Sequence, residues 1–197
     1  MRLEPVPADQ LPPDLQQLLQ LATQQMGFAP NDLLVMAHWP ELLRVLSPLV
    51  FTVWAPGAIS MELKRLVGLV SSVAGGCQYC VAHNAHGLAL EGISPERQAA
   101  VWEFESSPMI SPAERAALRV ARGGGQSPNG VTDNELQDLK AHFSPREIAE
   151  IVAVISLFGF LNRWNATLRV PLEEVPGAFA QATLTRHGWA AGPHAGD

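Results

Sequence analysis

Apolar residues recur at helical spacing along most of this chain, and no stretch sustains the apolar–polar alternation that is typical of a β-strand. Three segments carry a capping box, in which a Ser or Thr is followed three residues later by a Glu: 111–114, 132–135 and 144–147. Such a box satisfies unpaired N–H groups of a first turn and so marks a helix start. The sequence therefore predicts an all-α protein, a bundle of seven to nine helices.

The length and composition favour one domain. A chain of 197 residues, of which 47% are apolar, can bury a core of ordinary size. We expect a single domain over residues 1–197, with a core at about 60–170 and an irregular tail at about 171–197 that is rich in Pro, Gly and small residues. We also expect the run GGGQSPNG, at 123–130, to be a flexible loop or a hinge.

The charge and the hydropathy exclude several classes of partner. A net charge of −6 without a dense Lys/Arg cluster argues against a nucleic-acid or anionic-lipid surface. The N-terminal segment lacks the apolar core of a secretory signal, and the longest strongly apolar run, 151–161, is about half of the ~20 residues that cross a bilayer. We therefore expect a soluble, cytoplasmic protein with no membrane partner.

The candidate site is the segment AGGCQYCVAHNAH at 74–86, which holds both cysteines of the chain. The paired glycines separate two apolar segments that are predicted to be helices, so we expect Cys77 and Cys80 in the first turn of the second helix. Two residues three apart on a helix are about 60° apart in azimuth and ~4.5 Å apart in rise, so the thiols can form a disulfide. Unpaired N–H groups in that turn stabilise a thiolate. His83, one turn after Cys80, can exchange a proton with it.

Two other interpretations of this segment are less favoured. The pattern Cys-x2-Cys-x2-His-x2-His has zinc-ligand types, but on a helix Cys77 and His86 lie ~13.5 Å apart and the four side chains cannot converge on one metal. A site made of Cys77, Cys80 and His83 alone stays possible, although we expect no metal. A thioredoxin-like site is disfavoured because a helix, rather than a strand, precedes Cys77. Buried cysteines without chemistry are also common in helical cores.

Two longer segments resemble a known family. GGCQYCVAHNAHGLALEGIS, at 75–94, resembles the core motif of the alkylhydroperoxidase D (AhpD) / carboxymuconolactone decarboxylase superfamily. The segment at 144–173, with Asn-Arg-Trp-Asn at 162–165, and the HGW element of the tail are similar to the peroxidase-related branch. The resemblance covers most of residues 60–190. It implies an AhpD-like multihelical bundle and a homo-oligomer.

The resemblance also implies an activity, that of a thiol-dependent hydroperoxidase. Cys80 would be oxidised by a hydroperoxide to a sulfenic acid, and Cys77 would then resolve it as a disulfide. A dithiol or lipoyl-type reductant would reopen the disulfide, and no bound cofactor is implied. The substrate and the reductant are thus the expected partners.

The chain departs from the family pattern at the proton relay. The family's relay glutamate corresponds to Arg65, and its relay histidine corresponds to Asn84. His83 and Glu62 are the nearest substitutes, and Arg65 could hold Cys80 as a thiolate through its charge. His86 is a further candidate on the same helix. Catalytic residues are therefore expected at Cys77, Cys80 and His83, with Arg65, Glu62, Asn84 and His86 as possible relay or thiolate-stabilising groups.

Two alternatives remain open at this point. The first is an enzyme of the same fold that acts on a lactone or another carboxylated ring compound, as in the decarboxylase branch, whose members generally lack the cysteine pair. The second is a non-catalytic redox-responsive interaction module whose disulfide state alters assembly.

Overall fold

A computed structural model describes residues 2–196, and within these residues the protein is all-α. The ten α-helices are α1 (Pro13–Met26), α2 (Asn31–Met36), α3 (Pro40–Trp54), α4 (Met61–Ala74), α5 (Gln78–Leu90), α6 (Pro95–Ala99), α7 (Pro112–Gly125), α8 (Asp133–His142), α9 (Pro145–Leu168) and α10 (Glu174–Thr183). Short 3-10 turns lie at Ala8–Gln10, Ala100–Glu103, Thr185–His187 and Gly192–His194. The number of helices exceeds the expected range by one because the tail contributes α10.

Helix α4 is the centre of the bundle, and it packs against α5, α7 and α9. Its residues Leu66, Val67 and Leu69 are fully buried. Gly75 ends α4, and Gly76, with φ of +72°, reverses the chain direction before α5 begins. A positive φ is easily adopted only by glycine, so this residue type is required at the turn. The turn presents Cys77 as the N-cap residue of α5.

The helix starts agree with the sequence. All three capping boxes form, at Ser111, Thr132 and Ser144, and in each the side-chain oxygen accepts the N–H of the Glu three residues later. The hydroxyl oxygen of Ser60 caps α4 by accepting the Leu63 N–H. Because a cap depends on residues within one turn, its geometry can be predicted from the local sequence alone.

The expectation of a loop or hinge at 123–130 is wrong for residues 123–125, which form the last turn of α7, whereas residues 126–130 lie outside any helix. A Cβ added at Gly125 would lie 2.5 Å from the Ser71 carbonyl oxygen, and one at Gly123 would lie 2.8 Å from the Val131 N. Both positions therefore meet backbone from another part of the fold. Gly125 allows the end of α7 to approach α4 closely, and Gly123 allows the following loop to pack against α7, a role that composition does not reveal.

The expectation of an irregular tail is also wrong over Glu174–Thr183, which forms α10 against α5. Beyond it, Leu184 and Trp189 are buried, and the Trp189 indole N–H donates to the Gln78 carbonyl at 3.1 Å. A few apolar anchors thus hold a segment of low helix propensity in place. Tertiary packing overrides a weak local preference here.

Helix α9 is long and apolar enough to cross a bilayer by those two criteria alone. It contacts α4, α5 and α7, and its residues Ile151, Val154 and Leu157 are buried among them. The same length and composition are found in the core helices of soluble bundles.

A substitution at the α7–α4 contact tests the role of the glycines. We expect Gly125→Ala to lower the free energy of unfolding by about 1–3 kcal/mol, because the new methyl group meets backbone that cannot move aside. The change should appear in thermal and urea denaturation. Gly159→Ala is the matched control, since its Cβ would lie 3.6 Å from the nearest side-chain atom, Arg163 Nη1. Equal stability of the two variants would contradict the close-packing role.

Candidate active site at the start of α5

The two cysteines form a reduced pair in the interior of the protein. Both are free thiols, with Cys77 fully buried and Cys80 3% exposed. The Cys80 backbone N–H donates to the Cys77 Sγ at 3.4 Å, which makes the first cysteine the side-chain cap of α5. This arrangement agrees with the expectation that both thiols lie in the first turn of a helix.

The side chain beside Cys77 comes from the tail, and the sequence analysis did not anticipate it. His194 is 1% exposed, and its Nδ1 lies 2.7 Å from the Val170 carbonyl oxygen. A carbonyl only accepts, so Nδ1 carries the hydrogen, and the ring lies near enough to the Cys77 thiol for each to influence the ionisation of the other. No local pattern connects His194 to Cys77, because the two residues lie at opposite ends of the region from α5 to the C-terminal tail.

These contacts favour ionisation of Cys77. A hydrogen bond from the Cys80 thiol is the largest influence, and together with contacts from His194 and the Cys80 N–H it outweighs burial and lowers the pKa of Cys77 well below its ordinary value. Burial opposes the charge on His194, but the Cys77 thiolate and the Val170 carbonyl raise its pKa above the usual value. These influences favour the thiolate form of Cys77 and the charged form of His194.

Cys80 has the opposite character. Burial, reinforced by the neighbouring Cys77 thiolate, raises the pKa of Cys80 well above its ordinary value. The Asn165 amide donates to its Sγ at 3.4 Å, and the Asp32 carboxylate disfavours a negative charge on it. The second cysteine is thus a neutral thiol, with a polar but not a cationic environment.

A buried carboxylate network lies beside the pair, centred on Glu173. Its Oε1 accepts from the Tyr79 hydroxyl at 2.7 Å and from the Asn31 N–H, and its Oε2 lies 2.7 Å from His83 Nε2. Burial raises the pKa of Glu173, but hydrogen bonds from His83, Asn31 and Tyr79 outweigh it and hold the pKa below its usual value. The carboxylate therefore fixes the His83 ring, with Nε2 as the donor.

Asp32 is the second acidic residue of this network. Burial raises its pKa, the charge of Glu173 adds to that effect, and His83, the Leu33 N–H and Asn165 oppose it. Neither Glu173 nor Asp32 has a sequence signal that connects it to the cysteines, since both lie far from residues 77–80 along the chain. Only the fold brings them together.

Two of the predicted relay candidates lie in other contacts. The Arg65 guanidinium stacks over the Trp54 ring, 4.3 Å from its centroid, and packs against Gly87. Burial lowers the pKa of Arg65, and Glu91 is the carboxylate that opposes this shift. Glu62 accepts from Arg97 Nε at 2.8 Å. The structure thus directs Arg65 and Glu62 to contacts with Trp54 and Arg97, and their predicted roles at the thiols gain no support.

The other two candidates, Asn84 and His86, lie on α5. The Asn84 amide donates to the Cys80 carbonyl at 2.9 Å, so Asn84 supports the backbone of the first turn. His86 lies between the rings of Phe28 and Phe179, at 6.0 Å and 5.6 Å between centroids. Burial, followed by the charges of His83 and Arg65, lowers the pKa of His86. Among residues 2–196, no group of three or more His, Cys, Asp or Glu side chains is placed to hold a metal.

Comparison with known proteins identifies the class. The model of the carboxymuconolactone decarboxylase family matches residues 40–123. The structure of the debrominase Bmp8 without ligand is 33% identical, with a TM-score of 0.84 over 93% of this chain and 96% of that chain. A peroxidase-related protein from Ralstonia eutropha JMP134 with an AhpD core has a TM-score of 0.79 at 23% identity, over 89% of this chain and 93% of that one. The chain belongs to the AhpD / carboxymuconolactone decarboxylase superfamily.

A second structure of Bmp8 and one further protein are also similar to this chain. A cysteine-to-alanine variant of Bmp8 in complex with 2,3,4-tribromopyrrole is 32% identical, with a TM-score of 0.85 over 94% of this chain and 97% of that chain. The uncharacterized protein YnjA of Escherichia coli K12 is 30% identical over 97 residues, or 49% of this chain. That match spans about half, 53%, of the length of YnjA.

The network around Glu173 generates a prediction for stability. We expect Glu173→Gln to lower the free energy of unfolding by about 1–3 kcal/mol at neutral pH, because buried donors lose the charged acceptor. The pKa of Glu173 is depressed in the folded protein, so the stabilisation is present above the unfolded carboxyl pKa of about 4.3 and is lost as the pH falls through the folded value. Urea denaturation of both proteins across this range measures the difference.

The adjacent Glu174 provides the control for this experiment, because it is exposed and lies in the same turn. Glu174→Gln should leave the stability nearly unchanged. A pH-independent difference between the wild type and Glu173→Gln would contradict the ionised state of Glu173.

Proposed function

We propose that this protein is a thiol-dependent oxidoreductase in which Cys77 and Cys80 supply two electrons to a small substrate and close to a disulfide. The observation that supports this function most directly is the position of the pair. Both thiols are free and buried at the start of α5, where the Cys80 N–H donates to the Cys77 Sγ at 3.4 Å. A thiolate is the nucleophile that attacks a peroxide, and a nearby neutral thiol completes the disulfide.

A hydroperoxide is the first candidate substrate. In the overall reaction the two thiols and ROOH give the disulfide, ROH and water, so two electrons pass from sulfur to the O–O bond. An external dithiol or lipoyl-type reductant would reduce the disulfide again, and no bound cofactor is required. Family membership and the reduced pair support this candidate. The cytoplasm, where thiols are kept reduced, is the compartment that suits it.

A bromine-bearing aromatic ring is the second candidate, which the likeness to the debrominase Bmp8 favours. The two thiols and Ar–Br would give the disulfide, Ar–H and HBr, which is again a two-electron reduction. Aromatic rings surround this end of α5: Phe28 lies 5.3 Å from the His83 ring, and Tyr79 stacks on His83 at 4.2 Å. Such a cluster suits a planar apolar substrate better than a small peroxide does.

The structure supports His83 as a proton carrier in either reaction. It lies one turn after Cys80, and its Nε2 is held by the ionised Glu173, which leaves Nδ1 free for exchange. Glu173 is then a positioning residue, since it acts through His83. This dyad takes the place of the family's relay, whose positions hold Arg65 and Asn84 here.

A direct assay tests the proposed function. The purified protein is incubated with cumene hydroperoxide or with 2,3,4-tribromopyrrole, in the presence of dihydrolipoamide or dithiothreitol. We expect consumption of at least one of these substrates and a Cys77–Cys80 disulfide in the protein by mass spectrometry when the reductant is left out. The double variant Cys77→Ser/Cys80→Ser should be inactive, and Gln78→Ala, which changes the residue between the pair, should retain activity.

Some outcomes of this assay would contradict the proposal. Turnover that persists in the double serine variant would favour a cysteine-independent enzyme of the decarboxylase type. A disulfide that forms without turnover of either compound, and that changes the sedimentation of the protein, would favour a redox-responsive interaction module.

We also propose that the protein is a homo-oligomer. An apolar groove of about 1000 Å³ lies between α7, α8 and α9, and Val152 and Phe160 on its wall are 43% and 38% exposed. The Phe160 ring stacks on Trp164 at 6.0 Å, which makes this wall a continuous apolar surface. Exposed apolar surfaces of this kind mark contacts between subunits.

Sedimentation velocity tests the contact. Phe160→Glu should shift the protein to a smaller species, because a charge would be buried in the contact. The control is Val45→Glu, at a position on α3 that is 70% exposed and outside the groove. An unchanged distribution for Phe160→Glu would contradict this contact surface.

A further inference from the structure

Arg65 is a partly buried cation that the proposed function leaves without a role. Its guanidinium lies over the Trp54 ring, 4.3 Å from the ring centroid. Its Nε is buried and meets no hydrogen-bond acceptor among residues 2–196. A guanidinium keeps its charge in proteins, so a buried nitrogen without an acceptor is costly. Arg65 as a whole is half-buried, so it is not sealed against a ligand.

Other arginines of this chain have carboxylate partners. Arg44 pairs with Asp14 at 2.8 Å, and Arg119 pairs with Glu105 at 2.7 Å. Within the described residues 2–196, Arg65 forms no such ion pair, and the charge of Glu91 only opposes the effect of burial on its pKa. The planar fork of a guanidinium matches the two oxygens of a carboxylate. An uncompensated guanidinium of this kind therefore suits a ligand that carries a carboxylate.

The helix that carries the thiols also holds the cation in place. A Cβ added at Gly87 would lie 2.7 Å from Arg65 Cζ, so the missing side chain leaves the space that the guanidinium occupies. Gly87 follows Cys80 by about two helical turns, ~10.5 Å of rise, at nearly the same azimuth. The cation thus lies beside the face of α5 that carries Cys80. His83, one turn after Cys80, lies between the two positions along the helix.

Aromatic rings flank this part of α5. The His86 ring lies 6.0 Å from Phe28 and 5.6 Å from Phe179, measured between centroids. After burial, the charges of His83 and Arg65 both lower the pKa of His86, which places the three side chains in one neighbourhood. A cation at one end, a dithiol at the other and rings beside them suit a flat molecule with an anionic group.

From this arrangement we propose that Arg65 binds a carboxylate on the substrate, and that the substrates are aromatic compounds that carry one. The spacing of about two helical turns between the guanidinium and Cys80 suits a single ring with the carboxylate on one side and the reacting atom on the other. The inference rests on the proposed dithiol oxidoreductase function and names the substrate class of the same site. Cumene hydroperoxide and tribromopyrrole are then uncharged analogues of the substrates.

Binding of simple carboxylates to the reduced protein tests the role of the cation. Benzoate and pyrrole-2-carboxylate are titrated against the wild type and Arg65→Gln by isothermal calorimetry, with benzamide as the uncharged analogue of benzoate. We expect at least one carboxylate to bind the wild type and benzamide to bind more weakly. Arg65→Gln should raise the Kd of that carboxylate by about tenfold or more, because a charge-assisted pair is lost.

Two further variants sharpen this experiment. Arg44→Gln, which removes an exposed arginine that is already paired, should bind the carboxylate as the wild type does. Arg65→Lys keeps the charge without the planar fork, so its Kd should lie between those of the wild type and Arg65→Gln. An equal Kd in the wild type and Arg65→Gln, or no binding of either carboxylate to the wild type, would overturn the proposal.

Protection of the thiols tests whether the bound carboxylate lies beside them. A saturating concentration of the carboxylate that binds should slow the alkylation of Cys77 and Cys80 by iodoacetamide in the wild type, because the ring covers the approach to the pair. Arg65→Gln should show no protection at the same concentration. Binding through Arg65 that leaves the alkylation rate unchanged would contradict a substrate site.

The unmodified protein covers the case in which Arg65→Gln does not fold. Its thermal midpoint should rise more with benzoate or pyrrole-2-carboxylate than with benzamide, and the rise should shrink at high ionic strength. Equal midpoints with all three compounds would overturn the proposal. A folded Arg65→Gln that sediments as a smaller species would also overturn it, since the cation would then pair with a carboxylate of a second subunit.

The outcomes separate this inference from the proposed function. A wild type that binds a carboxylate through Arg65 beside the thiols, but consumes neither cumene hydroperoxide nor tribromopyrrole, supports the anion site and counts against the dithiol activity. Turnover of either compound by a protein that binds no carboxylate would overturn the anion site and leave the proposed function intact.

Discussion

The carboxylate of Glu173 is the interaction on which the arrangement of the site depends. A buried charge is costly unless its acceptor positions are filled, and here the partners come from α2 and α5, while Glu173 itself lies just before α10. The same bonds therefore dock the end of the chain against the helix that carries the cysteines. Once residue 173 is fixed, the neighbouring Val170 and Leu172 are in place to hold His194.

The electrostatics of the dithiol follow from this docking. Burial by itself would raise the pKa of both sulfurs, so a difference between them needs specific contacts. Contacts from Cys80 and His194 lower the pKa of Cys77, whereas burial, the charge on Cys77 and the Asp32 carboxylate raise that of Cys80. The fold thus gives different surroundings to two residues of the same type, three positions apart.

Much of the framework could be predicted from the sequence, because helices and their starts depend on short-range patterns. The capping boxes at 111, 132 and 144 form as expected, and the glycines at 75 and 76 separate α4 from α5. The glycines at 123–125 show the limit of such reasoning. Composition indicated a flexible loop, but their small size serves the contact between α7 and α4. Glycine suits both a flexible loop and a close contact between helices, and only the atoms around it in the folded protein show which role it has.

The sequence by itself determined the all-α class, the family and the location of the dithiol, because each of these depends on patterns within short stretches of chain. It also singled out His83. The tertiary structure alone decided which other groups lie around the pair: Glu173 pairs with His83, and His194 comes from a tail expected to be irregular. The physical reason is the range of the interactions. Helix caps act over three or four residues, whereas Asp32 and His194 lie far from the thiols along the chain, and only folding brings them close.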